Sequence, residues 1–304
     1  MDKKISINIE GLTKYFGQKK AVDHLNLQIP AGCVYGLLGR NGAGKSTTIR
    51  ILLGLASADF GKAEVLGCQS SSLTPEIRSR IGYVNEGHNL YKFMKIKELR
   101  NYQRSFYPEK WNAELFEQML DFFELPLNSK IKKLSNGQRA QVSLALALAP
   151  EPELLIMDDP TLGLDVVIRR QFLEEMVRLI QHQGRTILFS SHILSDVERV
   201  ADRIGVIDKG RLKADCSLDR FRDSIRKIML EFKEIAPQSP DIPGLLHLRH
   251  GENRIEAVVV NTSDEDIDGW GKDNSLVSWS EIDMNLEDQF IEYTAGNKSK
   301  RLFQ

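Results

Sequence analysis

Apolar and polar residues alternate over the first thirty positions. Ile5, Ile7 and Ile9 form one run and Leu25, Leu27 and Ile29 another, with Gly17 between them. A period of two marks half-buried strands, and the intervening glycine turn predicts an antiparallel pair. Cys33–Leu38 is a continuous apolar stretch with the character of a buried strand, and Ser46–Leu55 reads as the helix that follows it. Gly61–Gly67 predicts a short strand between glycines, and Ile81–Val84 a buried one. From about Lys95 to Ala149 the period changes: spacings such as Leu115, Met119, Phe122 and Phe123 predict helices. Leu154–Met157 and Thr186–Phe189 are short apolar runs bounded by polar turns, which suits strands covered on both faces of a parallel sheet. The stretch between them, Val167–Gln181, has an amphipathic helical pattern that stops at Gly184. Asp208-Lys209-Gly210, set between Val206-Ile207 and Leu212, predicts a hairpin.

The pattern shifts again near Phe221. Pro237, Ser239, Pro240 and Pro243 interrupt the chain, strands are predicted at Arg254–Val260 and Leu276–Ile282, and Asn285 would cap a terminal helix. With 304 residues there is room for two domains. We expect one over residues 1–220, with a helical insertion at about 87–150, and a small α+β domain over 221–304. No internal repeat, low-complexity tract or coiled-coil heptad is evident.

Lysine and arginine total 41 against 42 acidic residues, so the chain lacks the basic footprint of a nucleic-acid binder, and no nucleic-acid partner is expected. Cys33, Cys68 and Cys216 are scattered, without metal spacing or a disulfide framework, which suits a reducing compartment. Met1–Ile7 lacks the apolar region of a signal peptide, and no apolar run approaches the ~20 residues that span a bilayer. If the protein works at a membrane, another chain must do the spanning.

Candidate chemistry begins at residues 39–46, Gly-Arg-Asn-Gly-Ala-Gly-Lys-Ser, between the predicted strand and helix. Residues with small side chains let successive backbone N–H groups turn inward around phosphate oxygens, and the following helix N-terminus adds partial positive charge. In such a loop Gly39, Asn41, Gly42, Ala43, Gly44 and Thr47 frame the phosphates, Lys45 reaches the β- and γ-phosphates, and the Ser46 hydroxyl meets Mg²⁺. On its own the spacing also fits a glycine-rich loop with a surface lysine. Asp158 and Asp159 follow the Leu154–Met157 run, at the strand end where open α/β sheets hold ligands. They read either as solvated loop acids or, given the loop upstream, as an Mg²⁺ ligand (Asp158) and a group that activates water (Asp159). Leu134-Ser135-Asn136-Gly137-Gln138 opens a strong helix. It reads as a capped helix or as a second anion site, with a hydroxyl, a glycine and a helix N-terminus facing outward.

Taken together, and in this order, these motifs resemble the ATP-binding subunits of ABC transporters over Ile5–Arg211. The resemblance implies a P-loop, RecA-like α/β core with an antiparallel β subdomain and an inserted helical subdomain. It implies ATP and Mg²⁺ as cofactors. Leu134–Gln138 resembles the family's signature sequence, whose Ser135, Gly137 and Gln138 would complete the ATP site of a facing copy. Phe16 resembles the residue that stacks on adenine, with Tyr15 as the alternative. Gly163-Leu164-Asp165 resembles the loop that crosses the dimer interface, and His192 the histidine at the γ-phosphate. Without the family, Phe16 would be read as core and His192 as an ordinary residue after a strand.

Two positions depart from the family pattern. Asp159 stands where glutamate is usual, which predicts slow hydrolysis through a carboxylate one methylene short. Glu86 stands where glutamine commonly meets Mg²⁺ or water, so it is expected as a metal and catalytic contact with added negative charge. The family implies a homodimer and a separately encoded transmembrane permease, reached through Glu86–Tyr107, on the cytoplasmic face of a bacterial plasma membrane. The domain after Phe221 resembles those of export ATPases. A regulatory subunit that turns over slowly, or a soluble ABC ATPase not coupled to transport, is the alternative.

Overall fold

The computed structural model describes residues 4–181 and 184–296. The chain divides into two compact units, Met1–Asp215 and Cys216–Gln304.

In the first unit the alternating runs form β1 (Ile5–Phe16) and β2 (Lys19–Pro30), antiparallel, with Leu12 opposite Leu25 and Ile9 opposite Leu27. β3 (Val34–Leu38) then runs into α1 (Lys45–Leu52), and β4 (Phe60–Val65) and the short β5 (Cys68–Gln69) complete a four-stranded sheet in the order β2-β1-β4-β5. After α2 (Pro75–Arg78) come β6 (Ile81–Val84) and three helices, α3 (Ile96–Arg104), α4 (Ala113–Phe122) and α5 (Asn136–Leu148). Every residue of α5 from Ala140 to Leu148 is buried, so this helix is an interior element rather than a surface one. β7 (Leu154–Met157), α6 (Val166–Gln181), β8 (Thr186–Ser191), α7 (Leu194–Val200), β9 (Arg203–Asp208) and β10 (Arg211–Ser217) follow. The predicted stop of α6 near Gly184 falls partly on residues 182–183, outside the described ones.

The second sheet has the order β10-β9-β3-β8-β7-β6. Its pairs β3–β8, β3–β9, β7–β8 and β6–β7 are all parallel. β3, β7 and β8 are buried along their whole length, as continuous apolar runs require when both faces are covered. A single core joins Ile7, Leu12 and Leu25 of the first sheet, Ile49 and Leu52 of α1, and Leu37, Ile156 and Leu188 of the second. A cavity-forming change such as Ile49→Ala costs about 2–5 kcal/mol and loosens the helix behind the phosphate-type loop.

The second unit runs from Cys216 and opens with α8 (Leu218–Ser224), capped by the Ser217 hydroxyl. β11 (Ile225–Phe232), β12 (Leu245–His250), β13 (Arg254–Val260), α9 (Asp264–Asp273), β14 (Leu276–Ile282) and α10 (Leu286–Gly296) complete it. The sheet order is β12-β13-β11-β14, and all its pairs are antiparallel. Asn285 caps α10 through a bond from the Asp288 N–H at 2.8 Å. His247, on β12, meets the Glu292 carboxylate of α10 at 2.7 Å.

Candidate functional site

Four strands of the parallel sheet end on the same edge, and each carries a polar segment. β3 leads to the glycine-rich loop, β7 to Asp158 and Asp159, β8 to His192, and β6 to Glu86. Register does the alignment: Leu38 pairs with Ser191, Met157 with Phe189, and Val84 with Met157. The residues just past these pairs are therefore neighbours at the carboxyl edge, the position of ligand crevices in such sheets.

The loop is shaped by Gly42 at φ +79° and Gly44 at φ +115°. A Cβ on Gly44 would lie 2.5 Å from the Ala21 carbonyl oxygen, so strain and space both demand glycine there. Gly44 is the N-cap of α1 and offers no side chain to the first-turn N–H groups, and no acidic residue stands in that turn. Those donors are left to an anion. Lys45 is buried, 4% exposed, and its ammonium donates to the Gly39 carbonyl at 2.8 Å with Asp159 Oδ2 at 3.7 Å.

Asp158 Oδ1 accepts from the Ser46 hydroxyl at 2.9 Å and from the Ser190 hydroxyl at 2.8 Å. The backbone N–H of Asp159 donates to the same Ser190 oxygen at 2.9 Å. Asp159 adopts φ +42°, a left-handed conformation that turns the chain sharply. Its Oδ1 accepts from His192 twice, from the backbone N–H at 3.2 Å and from Nδ1 at 2.8 Å. A carboxylate accepts, so Nδ1 carries the proton and the His192 Nε2 is left for another partner.

These groups border a cleft of about 310 Å³ lined by Phe16, Lys19, Ala21, Asn41–Thr47, Glu86 and Asp159. Phe16, 57% exposed, lines it at the end of β1, and Tyr15 does not. Asp158 and His192 stand behind the wall, joined to it through Ser46 and Asp159. The pair of hard oxygens on Ser46 and Asp158 fits Mg²⁺. Adjacent ligands of an octahedron with 2.0–2.1 Å bonds are about 2.9 Å apart, the separation seen here, and Mg²⁺ takes few protein ligands and fills the rest with water and phosphate. Glu86 is exposed on the cleft wall.

The remaining candidate residues lie off the walls of this cleft. Ser135 is the exposed N-cap of α5, with a reciprocal bond pair to Gln138 at 3.0 and 3.1 Å. Gly137 packs on α6, where an added Cβ would lie 2.7 Å from Ile168 Cγ2. Asp165 accepts from the N–H groups of Val167 and Ile168 at 3.0 Å each and so caps α6. Val166 and Val167, beside it, are 77% and 65% exposed.

Sequence reasoning missed two residues. Ser190 directly follows the Thr186–Phe189 run; a small polar residue closing such a run two positions before His192 was the available signal. Lys19 pairs with Phe16 across the β1–β2 turn, and that register carries it to the cleft.

Residues 22–162 match the family model described as ABC transporter. The chain is 30% identical over 295 residues to the ABC transporter ATP-binding protein YtrB of Bacillus subtilis, covering 96% of this chain and 99% of that one. It is 38% identical over 215 residues to the Nod factor export ATP-binding protein I of Rhizobium johnstonii, covering 69% of each. A solved dimeric bacterial ABC transporter cassette superposes with a TM-score of 0.63 at 25% identity, covering 70% of this chain and 98% of that one.

Proposed function

The chain belongs to the ABC transporter family as an ATP-binding subunit, and from there we propose that it binds ATP between two facing copies and hydrolyses it to drive a separate transmembrane permease, an exporter. The observation that carries the reading is the split of the machinery. Phe16, the 39–47 loop, Asp158, Asp159 and His192 gather around one cleft, whereas Ser135, Gly137, Gln138 and Asp165 sit off its walls. Ser135 is solvent-exposed at a helix N-terminus, and the exposed Val166 and Val167 beside Asp165 offer apolar surface for a second copy. A head-to-tail pair of identical chains closes on itself and supplies both halves twice.

In this reading the base stacks on Phe16, backbone N–H groups of Asn41–Thr47 and the Lys45 ammonium hold the phosphates, and Ser46, Asp158 and Glu86 would hold Mg²⁺, which would supply charge neutralisation for the phosphates. Asp159 accepts a proton from water as the water oxygen bonds to the γ-phosphorus and the bond to the β–γ bridging oxygen breaks. His192, fixed by Asp159 through Nδ1, presents Nε2 to the γ-phosphate. Loss of that phosphate removes the bonds that join the copies, so binding closes the pair and hydrolysis opens it.

No helix among the described residues is long and apolar enough to cross a membrane; the likeness to transporter ATP-binding proteins supports a permease as the partner, at the cytoplasmic face of the membrane. An exposed aromatic cluster beyond Glu86, with Tyr91, Phe93, Tyr102 and Phe106 ring to ring at 5.1–5.8 Å, supports this segment as the contact with it. Export is favoured by the likeness to a Nod factor export protein.

The test is to trap Asp159→Asn with MgATP and measure the mass of the complex. Two chains with two ATP are expected, and Ser135→Arg should abolish that dimer while leaving ATP on the single chain. A trapped complex of one chain with one ATP would sink the proposal.

A further inference from the structure

We propose that His88 is a positioning residue: it ties the Glu86 loop to the turn that carries Asp159, and so holds that carboxylate in place for catalysis. The proposal rests on the ATPase reading above.

His88 follows Glu86 by two residues, yet it is turned inward and only 2% exposed. Its Nε2 lies 3.0 Å from the Pro160 carbonyl oxygen in a buried bond. That oxygen can only accept, so Nε2 carries the proton and donates. That leaves Nδ1 as a lone-pair nitrogen, buried without a hydrogen-bond partner. An unpaired lone pair costs less there than a second unpaired N–H, which fixes the tautomer. The backbone of His88 is itself left-handed, at φ +48°. Such a conformation is strained for a non-glycine residue and persists only where the surroundings hold it.

The same turn is held from its other side. The Thr161 hydroxyl donates to Asp196 Oδ2 at 2.5 Å, and Asp196, 2% exposed, stands four residues after His192. Pro160 has no N–H and offers only its carbonyl, which His88 takes. Asp159, in its own left-handed conformation, is therefore followed by two residues each tied to a different neighbouring segment. The Glu86 loop, the Asp159 turn and the segment after His192 are joined by two buried hydrogen bonds, so a shift of one pulls on the other two. Because a 1 Å misplacement of a reacting group can cost roughly 100-fold, the strut matters to rate without touching nucleotide.

The experiment compares His88→Leu, which deletes the donor, with His88→Gln, whose side-chain amide reaches a similar point. It reads kcat and KM for MgATP, and hydrogen exchange at the Leu162 and Leu164 amides, which are bonded to the Asp159 and Thr161 carbonyls. The Leu variant should lose roughly 10- to 100-fold in kcat with KM changed less than about threefold, and exchange at both amides should quicken. The Gln variant should recover most of both. Thr161→Val, which removes one hydroxyl at constant volume, should quicken the same amides if the Leu variant does not fold. Unchanged exchange and kcat in the Leu variant, a loss confined to KM, or no recovery with Gln would each overturn the proposal. A parent protein without ATPase activity would sink the functional reading instead, and the exchange comparison would still decide the strut.

Discussion

Asp159→Glu should make this enzyme faster. The Asp159 carboxylate lies back on the cleft wall, 2.8 Å from His192 Nδ1 and 3.7 Å from the Lys45 ammonium, with its side chain 9% exposed. Both partners belong to the same chain, so the carboxylate is tethered close to the wall of the cleft it lines. One added methylene carries the carboxylate forward by about 1.5 Å. Since 1 Å of misplacement can cost about 100-fold, restoring the reach is worth up to about 100-fold in kcat, or about 2.7 kcal/mol of barrier. The gain should appear in kcat at saturating MgATP with little change in KM, because the proposed reading has ATP held by the loop and Lys45. The assay is steady-state phosphate release, on parent and variant in parallel. A glutamate variant no faster than the parent would show that reach is not limiting and refute the reasoning.

Other outcomes follow from the same geometry. Ser190→Ala removes a donor to Asp158 and the acceptor of the Asp159 N–H, so kcat should fall roughly 10- to 100-fold while the melting temperature moves only a few degrees; a kcat equal to the parent's would count against it. Glu86→Gln removes a negative charge from the cleft wall, and half-maximal Mg²⁺ should fall by about two- to tenfold in a titration at fixed ATP; superimposable curves would contradict the assignment. Lys20 chiefly, with desolvation opposing it and His24 and Arg211 assisting, holds the Asp23 carboxyl well below the ordinary carboxylate range. A depressed carboxyl pKa stabilises the fold above the unfolded value near 4 and loses that contribution as pH falls below it. Asp23→Asn should thus cost about 1–2 kcal/mol in chemical denaturation at pH 7, and the gap should narrow below pH 4; a gap independent of pH would be the wrong result.

Much of this architecture was legible because its signals are local. The period-two runs became β1 and β2, the short apolar runs became β3, β7 and β8, and Asn285 caps its helix as its position suggested. The glycine loop was readable because glycine positions and positive φ coincide at Gly42 and Gly44. What escaped depends on register across distant segments. Ser190 is 32 residues from Asp158 and meets it only because β8 lies beside β7. The inward turn of His88 was invisible, since a histidine between Gly87 and Asn89 reads as an exposed loop residue. In the second unit β11 and β12 were not anticipated: β12 is only half-buried, and its mixed faces give no clear period.

The buried ammonium of Lys45 has a last consequence. Its charge is already engaged by a carbonyl and faced by an acid, so an arriving anion must exchange with internal partners and not merely meet a waiting cation. Sulfate or orthophosphate offers too few oxygens to win that exchange well, whereas a triphosphate also satisfies a whole arc of amide donors. In the proposed reading the resting loop thereby favours a triphosphate over the small anions that crowd a cell, before any base or metal is recognised.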